Sequence, residues 1–226
     1  MIIFKYLIEF LVVVSGIIIS LNIEKNNAEN HKRDLKNQSL RRLVANIKQD
    51  ISDSKINETI YSEAIKSANY ILNNSNYLFQ NQKDSLGYFL DVISKASTIF
   101  VDNQEEYLTL RNSGFLELID DDNLVIAIQK KYSYHSFYKR AESYIGYLNK
   151  QIYSTSFNKT AYQGLGRSST YGQYSTYIDE NNLTNKELSL IRRKTEISAV
   201  YLTYIKQSIL SDSSLIQLIE AEISNN

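Results

Sequence analysis

Few ionisable residues are placed to do chemistry, and the one in the most unusual position is Glu9. It lies inside an apolar run from Ile2 to Ile23. As a helix these residues would rise about 33 Å, enough to cross a hydrocarbon core of about 30 Å. A carboxylate in lipid costs at least about 2.5 kcal/mol unless it finds a partner. Lys5 precedes Glu9 by four residues and shares its helix face, so the two predict an intramembrane polar pair. Two other roles for Glu9 stay open. It could contact lipid headgroups or a neighbouring helix, or it could take part in the transport of a proton or ion.

The rest of the chain carries little catalytic equipment. It has no Cys, which excludes disulfides, thiolate zinc sites and cysteine nucleophiles. Its two histidines, His31 and His135, are too far apart in sequence to form a helical metal pair. Charge is balanced at 25 basic and 25 acidic residues, so no global field attracts nucleic acid. The sequence therefore predicts a non-enzymatic protein with no catalytic residues, no cofactor, no metal and no nucleic-acid partner.

The N-terminal run predicts a retained membrane anchor over residues 1–23. It is longer than the apolar part of a signal peptide, and residues 19–24 lack an Ala-x-Ala-like cleavage site. Basic residues such as Lys25, Lys32 and Arg33 follow the run and favour a cytoplasmic flank. Long downstream domains cross membranes largely regardless of charge, however, so the residues leave the orientation open.

A small-residue notch lies in the same run. Gly16 and Ser20 are four residues apart, a spacing that lets two helix backbones approach closely in lipid. Glu9 precedes Gly16 by one heptad, so both can face one neighbouring helix. We expect a homo-oligomer, with another membrane protein as the alternative partner.

Helical signals account for most of the remaining chain, residues 24–226. The whole chain has no Pro and only seven Gly, so few residues interrupt helix interiors. Apolar residues recur every three to four positions, and Thr184 with Glu187 forms a capping box. The sequence predicts an all-α fold, with an N-terminal transmembrane helix continuous with a long stalk helix and packed into an elongated antiparallel helical bundle. The expected helices run from 24 to about 73, 84 to about 97, 103 to Gly114, 122 to 152 and 184 to 224.

Two features look like metal ligands but favour structural roles. Asp120, Asp121 and Asp122 precede an apolar-periodic segment, where aspartates cap a helix and complement its dipole. His135 follows Ile128 by one heptad, which predicts a core or boundary histidine.

A seven-residue repeat predicts a coiled-coil seam on the last helix. Polar Ser198 and Asp212 interrupt it, where they would lower its stability and fix its register or partner. One row holds Leu188, Thr195, Leu202, Ile209, Ile216 and Ile223, and the other holds Ile191, Ser198, Ile205, Asp212 and Ile219.

Residues 157–183 break the helical pattern with a Tyr-, Gly- and Ser-rich segment. A loop of this length in a compact domain is often functional. Tyrosines among small polar residues make adaptable contact surfaces. We expect a partner loop here, contacting its partner through Tyr162, Tyr171, Tyr174 and Tyr177.

Two segments resemble motifs of a family of bacterial single-pass membrane proteins of unknown function. Residues 5–23 contain a Tyr, a following Glu, a Val-rich run, Gly-Ile-x-Ile and then an Asn. Residues 107–119 read Tyr-Leu-Thr-Leu-Arg-Asn-Ser-Gly-Phe-Leu-Glu-Leu-Ile, similar to the family's second motif. The resemblance implies an N-terminal anchor in the bacterial inner (cytoplasmic) membrane, a helical domain on its extracytoplasmic side, and no assigned activity.

Together these features predict a membrane-anchored scaffold or adaptor that self-associates through its helices. The alternative is an accessory subunit of an ion-coupled membrane complex that uses Glu9.

Overall fold

The longest described helix is α1 (Ile2–Asn81), whose 80 residues include a kink at Asn74. At 1.5 Å per residue it is about 120 Å long, which the absence of proline permits. Non-helical dihedral angles occur at Asn74 (φ −132°, ψ 19°). The sequence predicts the stalk to end at residues 73–76. The break is confirmed at Asn74, and what the prediction missed is a second helical segment that continues beyond it to Asn81.

The computed structural model describes the backbone of residues 2–100, 102–162 and 175–225, and the side chains of residues 9–100, 102–161 and 175–224. These residues are mostly helical, which confirms the all-α prediction. After α1 come α2 (Lys83–Lys95), α3 (Glu105–Asn112), a 3₁₀ turn (Phe115–Leu118), α4 (Asp122–Ser133), α5 (His135–Ser156), a 3₁₀ turn (Phe157–Lys159), β1 (Thr160–Tyr162), β2 (Ser175–Tyr177) and α6 (Asn185–Asn225).

Helix α6 packs antiparallel along α1. Near its C-terminus, Glu222 pairs with Lys36 of α1. Further up α1, the rings of Tyr61 and Tyr201 meet edge to face at 5.0 Å. Residue numbers therefore rise along one helix as they fall along the other, which confirms the predicted antiparallel arrangement.

The seam on α1 follows two strict seven-residue rows of buried side chains. This spacing, sustained over residues 36–78, is typical of long helices that wind around each other in a left-handed sense. Several of the buried side chains are polar, including Lys36, Asp50 and Asn57. One row holds Lys36, Leu43, Asp50, Asn57, Ala64, Ile71 and Leu78, and the other holds Leu40, Ile47, Ser54, Tyr61 and Ala68.

On α6 the structure confirms one predicted row and corrects the other. Ile191, Ser198, Ile205, Asp212 and Ile219 are all buried. The row from Leu188 to Ile223 lies on the flank and is only partly buried. The true second row lies one residue earlier, where polar side chains hid it from an apolar pattern search. It includes Glu187, Lys194, Tyr201, Leu215 and Glu222.

Local end signals set most of the other boundaries. The Asp121 side chain accepts a hydrogen bond from Asn123 N and caps α4. Gly114 adopts φ +74° after α3, a left-handed conformation that glycine tolerates. The Thr184–Glu187 capping box forms as predicted. The single helix predicted over 122–152 is instead two helices, α4 and α5, that meet at Tyr134.

A two-stranded antiparallel hairpin, β1–β2, lies against α2. It occupies part of the segment predicted as loop 157–183. At Gly87 of α2, an added Cβ would lie 2.1 Å from the carbonyl oxygen of Ser175. Only glycine therefore allows the strand to approach the helix this closely.

Candidate functional site

The N-terminal part of α1 is apolar and exposed on all sides. Nine large apolar side chains in this stretch are 53–66% exposed: Phe10, Leu11, Val12, Val13, Ile17, Ile18, Ile19, Leu21 and Ile23. Ser20 is exposed too, and a Cβ built on Gly16 would meet no atom of the described residues within 4 Å. Within the described residues, no helix is both long enough and apolar enough to cross a membrane.

The predicted Lys5–Glu9 pair is only half described. Both residues belong to α1, and the Glu9 side chain is exposed. The side chain of Lys5 lies outside the described side chains. The pair therefore stays a prediction.

Of the four tyrosines in the predicted partner loop, the structure describes the side chain of Tyr177 alone. Tyr171 and Tyr174 lie outside the described residues, and of Tyr162 only the backbone, in β1, is described. Tyr177 of β2 is 1% exposed, and its hydroxyl donates to the carbonyl oxygen of Asn181 at 2.7 Å. Tyr177 is thus a core residue, because strand pairing turns its ring inward, onto Phe79 of α1.

A cluster of buried charges joins α1, α4 and α6. Lys131 Nζ lies 2.9 Å from Asp50 Oδ2 and 2.9 Å from Asp212 Oδ2. All three side chains are at most 6% exposed. Asp50 Oδ1 also accepts the backbone N–H of Asn103 at 3.1 Å. Two buried carboxylates therefore share one buried ammonium.

Burial and attraction oppose each other in this cluster. Burial raises the pKa of Asp50 and of Asp212, and the attraction of Lys131 only partly offsets it. For Lys131, burial alone would lower the pKa, but Asp212 and Asp50 outweigh it and the pKa is raised. The ammonium is thus held in its charged form, while the two carboxylates compete for it.

A second pair lies beside this cluster. His135 Nδ1 is 2.6 Å from Asp102 Oδ1, and the His135 side chain is 37% exposed against 5% for Asp102. Tyr132 donates to the carbonyl oxygen of Asn103 at 3.3 Å and ties this loop to α4. His135 is a boundary residue, as the sequence predicts.

An open cavity of about 420 Å³ borders the cluster, between α4, α5 and α6. Lys131, Asp212 and Asp102 contribute to its wall. Aromatic side chains line it as well: Phe100, Tyr134, Tyr138 and Tyr204. Its volume falls in the range of small-molecule sites, and a few polar groups converge on mostly apolar walls, as is typical of such sites.

Lys194 of α6 is a further buried ionisable side chain. It is 2% exposed and donates to the carbonyl oxygens of Ile93 and Ala96 at the C-terminal end of α2. Burial lowers the pKa of Lys194 to about 7. It satisfies the last carbonyls of α2, a structural use of a lysine.

Sequence reasoning identified Asp212 as a seam residue and missed its partners. Asp50 of the cluster lies in the same heptad row as Leu43 and Ile71, as does Lys36, which pairs with Glu222. A search for heptad rows that admits polar residues would have found them. Lys131 gives no such signal, because its partners lie on two distant helices.

Comparison of the chain with protein-family models, curated proteins and solved structures found no match. Within the described part of the chain, no group of three or more His, Cys, Asp or Glu side chains is arranged to hold a metal ion.

Proposed function

We propose that this protein is a membrane-anchored helical scaffold or adaptor. In this proposal residues 1–23 span a bacterial inner membrane, and the domain from residue 24 onward is held outside the lipid. The observation that carries it is the exposure of the apolar side chains around α1 from Phe10 to Ile23. A helix that is apolar on all sides is stable only when it is buried in lipid or among other helices.

The free energies of burial favour insertion of the apolar helix into lipid. Burying one large aliphatic or aromatic side chain contributes about 1.5–3 kcal/mol. Several such side chains together outweigh the roughly 2.5–3.5 kcal/mol that Glu9 would cost near the helix centre. Glu9 lies near one end of the apolar run, where a long side chain reaches the interface more easily.

A polar spacer supports the same arrangement. Residues 24–34 of α1 are helical and exposed, and the seam with α6 begins at Lys36. Eleven helical residues would hold the bundle about 16 Å from the lipid. A domain at that distance can contact a partner beside the membrane without touching the bilayer.

Self-association through Gly16 and Ser20 completes the proposal. No atom of the described residues lies within 4 Å of a Cβ built on Gly16, and a second helix could approach there. The resemblance to bacterial single-pass proteins favours an extracytoplasmic domain.

The test is extraction of the full chain from bacterial membranes. We expect it to stay in the membrane pellet at alkaline pH and to be released by detergent, whereas deletion of residues 2–23 should yield protein in the supernatant. Release of the full chain by alkali would refute the anchor. A cysteine at exposed Ser189, labelled by an impermeant maleimide in intact cells, would report the side on which the domain lies.

A further inference from the structure

We propose that the cavity between α4, α5 and α6 binds a small organic ammonium ion with an aromatic or aliphatic body. The inference is independent of the membrane anchor. It rests on the size of the cavity, on the two carboxylates that share one ammonium beside it and on the aromatic rings that line it.

The first argument is shape. The open cavity has a volume of about 420 Å³ and lies between α4, α5 and α6. Ala127, Leu215 and Leu218 provide aliphatic lining, and Phe100, Tyr138 and Tyr204 provide aromatic lining. A ligand of ten to twenty non-hydrogen atoms fits about this volume.

The second argument is charge. Asp50 and Asp212 share the single ammonium of Lys131, so the three groups carry one net negative charge whenever both carboxylates are ionised. Asp102 is paired with His135. Excess charge away from water is costly unless it is compensated. A ligand cation in the cavity would compensate it.

The third argument is hydrogen bonding. The hydrogen bonds that Lys131 and Ser208 make to Asp212 both end on Oδ2. Oδ1 of the same carboxylate can therefore accept an N–H of a ligand ammonium. Gln207 and Ser211 lie in the same wall and can bond to further polar groups of the ligand.

The fourth argument is the aromatic surround. An ammonium within about 6 Å of a tyrosine or phenylalanine ring is attracted by the ring face. Phe100 stacks on Tyr138 at 4.3 Å, and Tyr204 packs against Phe137 at 4.6 Å. The rings are thus fixed by their neighbours before a ligand arrives.

The same geometry disfavours an anion. Lys131 is 6% exposed, and two carboxylates surround its ammonium. Lys130, the other lysine of the lining, is exposed, and water weakens its attraction for an anion.

The experiment is calorimetric titration of the full chain in detergent with three probes of similar shape: 2-phenylethylammonium, neutral 2-phenylethanol and anionic 3-phenylpropanoate. We expect the ammonium to bind at least tenfold more tightly than the alcohol, and the anion not to bind. The Asp212→Asn variant should lose at least tenfold in ammonium affinity. Ser211→Trp, which fills the cavity without changing its charge, should abolish binding. The control variant is Glu220→Gln, an exposed change on the same helix, and should bind like the parent chain.

Three results would overturn the proposal. The first is no heat of binding for the ammonium at 10 mM. The second is equal affinity for the three probes, which would indicate an apolar cleft without charge selection. The third is ammonium binding that survives Ser211→Trp. Because Ser211→Trp leaves the buried charges in place, its result is readable even if Asp212→Asn unfolds the chain.

Discussion

Replacing Lys131 by Met tests whether the buried charges hold α1, α4 and α6 together. The change leaves Asp50 and Asp212 buried without their common counter-ion. Removing one partner of a buried ion pair typically costs about 3–5 kcal/mol, against a total stability of about 5–15 kcal/mol for a domain. We therefore expect the free energy of unfolding at pH 8 to fall by about 3–5 kcal/mol.

The loss should depend on pH in a defined direction. Without Lys131, only the hydrogen bonds from Asn103 to Asp50 and from Ser208 to Asp212 still oppose the burial that raises the pKa of both aspartates. A folded-state pKa above the unfolded value means that the native state binds more protons, so stability falls as pH rises through the folded-state pKa. The variant should therefore be less impaired at pH 5 than at pH 8.

Urea unfolding of the full chain in detergent, followed by circular dichroism at 222 nm, measures both effects. Lys206→Met is the control, because the exposed pair of Lys206 with Glu58 should contribute no more than about 1 kcal/mol. Adding Asp50→Asn and Asp212→Asn to Lys131→Met should restore much of the stability. If Lys131→Met and Lys206→Met unfold at the same urea concentration at pH 8, the cluster does not hold the helices.

Four further substitutions test other features of the chain. Burial lowers the pKa of Lys194 to about 7, below its unfolded value, so the stability of the parent chain to urea should rise between pH 7 and 10. Lys194→Met should remove that rise. The same dependence on pH in both proteins would contradict the lowered pKa of Lys194. Gly87→Ala should destabilise the fold by about 1–3 kcal/mol, because its Cβ would lie 2.1 Å from the Ser175 carbonyl oxygen. The control is Gly146→Ala, whose Cβ would meet no described atom within 4 Å and which should stabilise the fold by up to about 1 kcal/mol. Equal shifts of the melting temperature in the two variants would argue against the close approach at Gly87. Gly16→Leu should abolish crosslinked oligomers in membranes while urea stability stays unchanged, and oligomers indifferent to it would exclude the notch as an assembly surface. Glu9→Gln keeps hydrogen bonding and removes charge, so a scaffold should still crosslink and pull down the same partners, whereas an ion-coupled subunit would lose activity.

The helix ends could be predicted because their signals are local. The capping box at Thr184 begins α6 and the left-handed Gly114 follows the end of α3, and each acts within four residues of that helix end. Asp121 caps α4 for the same reason. The break at Tyr134 could not be predicted, because no Gly or Pro marks it and the helical pattern continues through it.

The buried charges could not be predicted because burial was inferred from apolarity. Glu187, Lys194 and Glu222 occupy core positions of α6, and each is stabilised by a partner far away in sequence. Glu222, for example, pairs with Lys36 across 186 residues. A pattern search that assigns charged residues to the surface therefore shifts the row by one position.

The placement of these charges explains how one register of α1 and α6 is selected. Both helices repeat every seven residues, so a slip of one heptad would still bring apolar side chains together. The slip would move Asp212 away from Asp50 and Lys131, and Glu222 away from Lys36. Each broken pair would leave a buried charge without its partner, at about 3–5 kcal/mol. The apolar rows therefore bring the helices together, and we infer that the buried ion pairs determine their register.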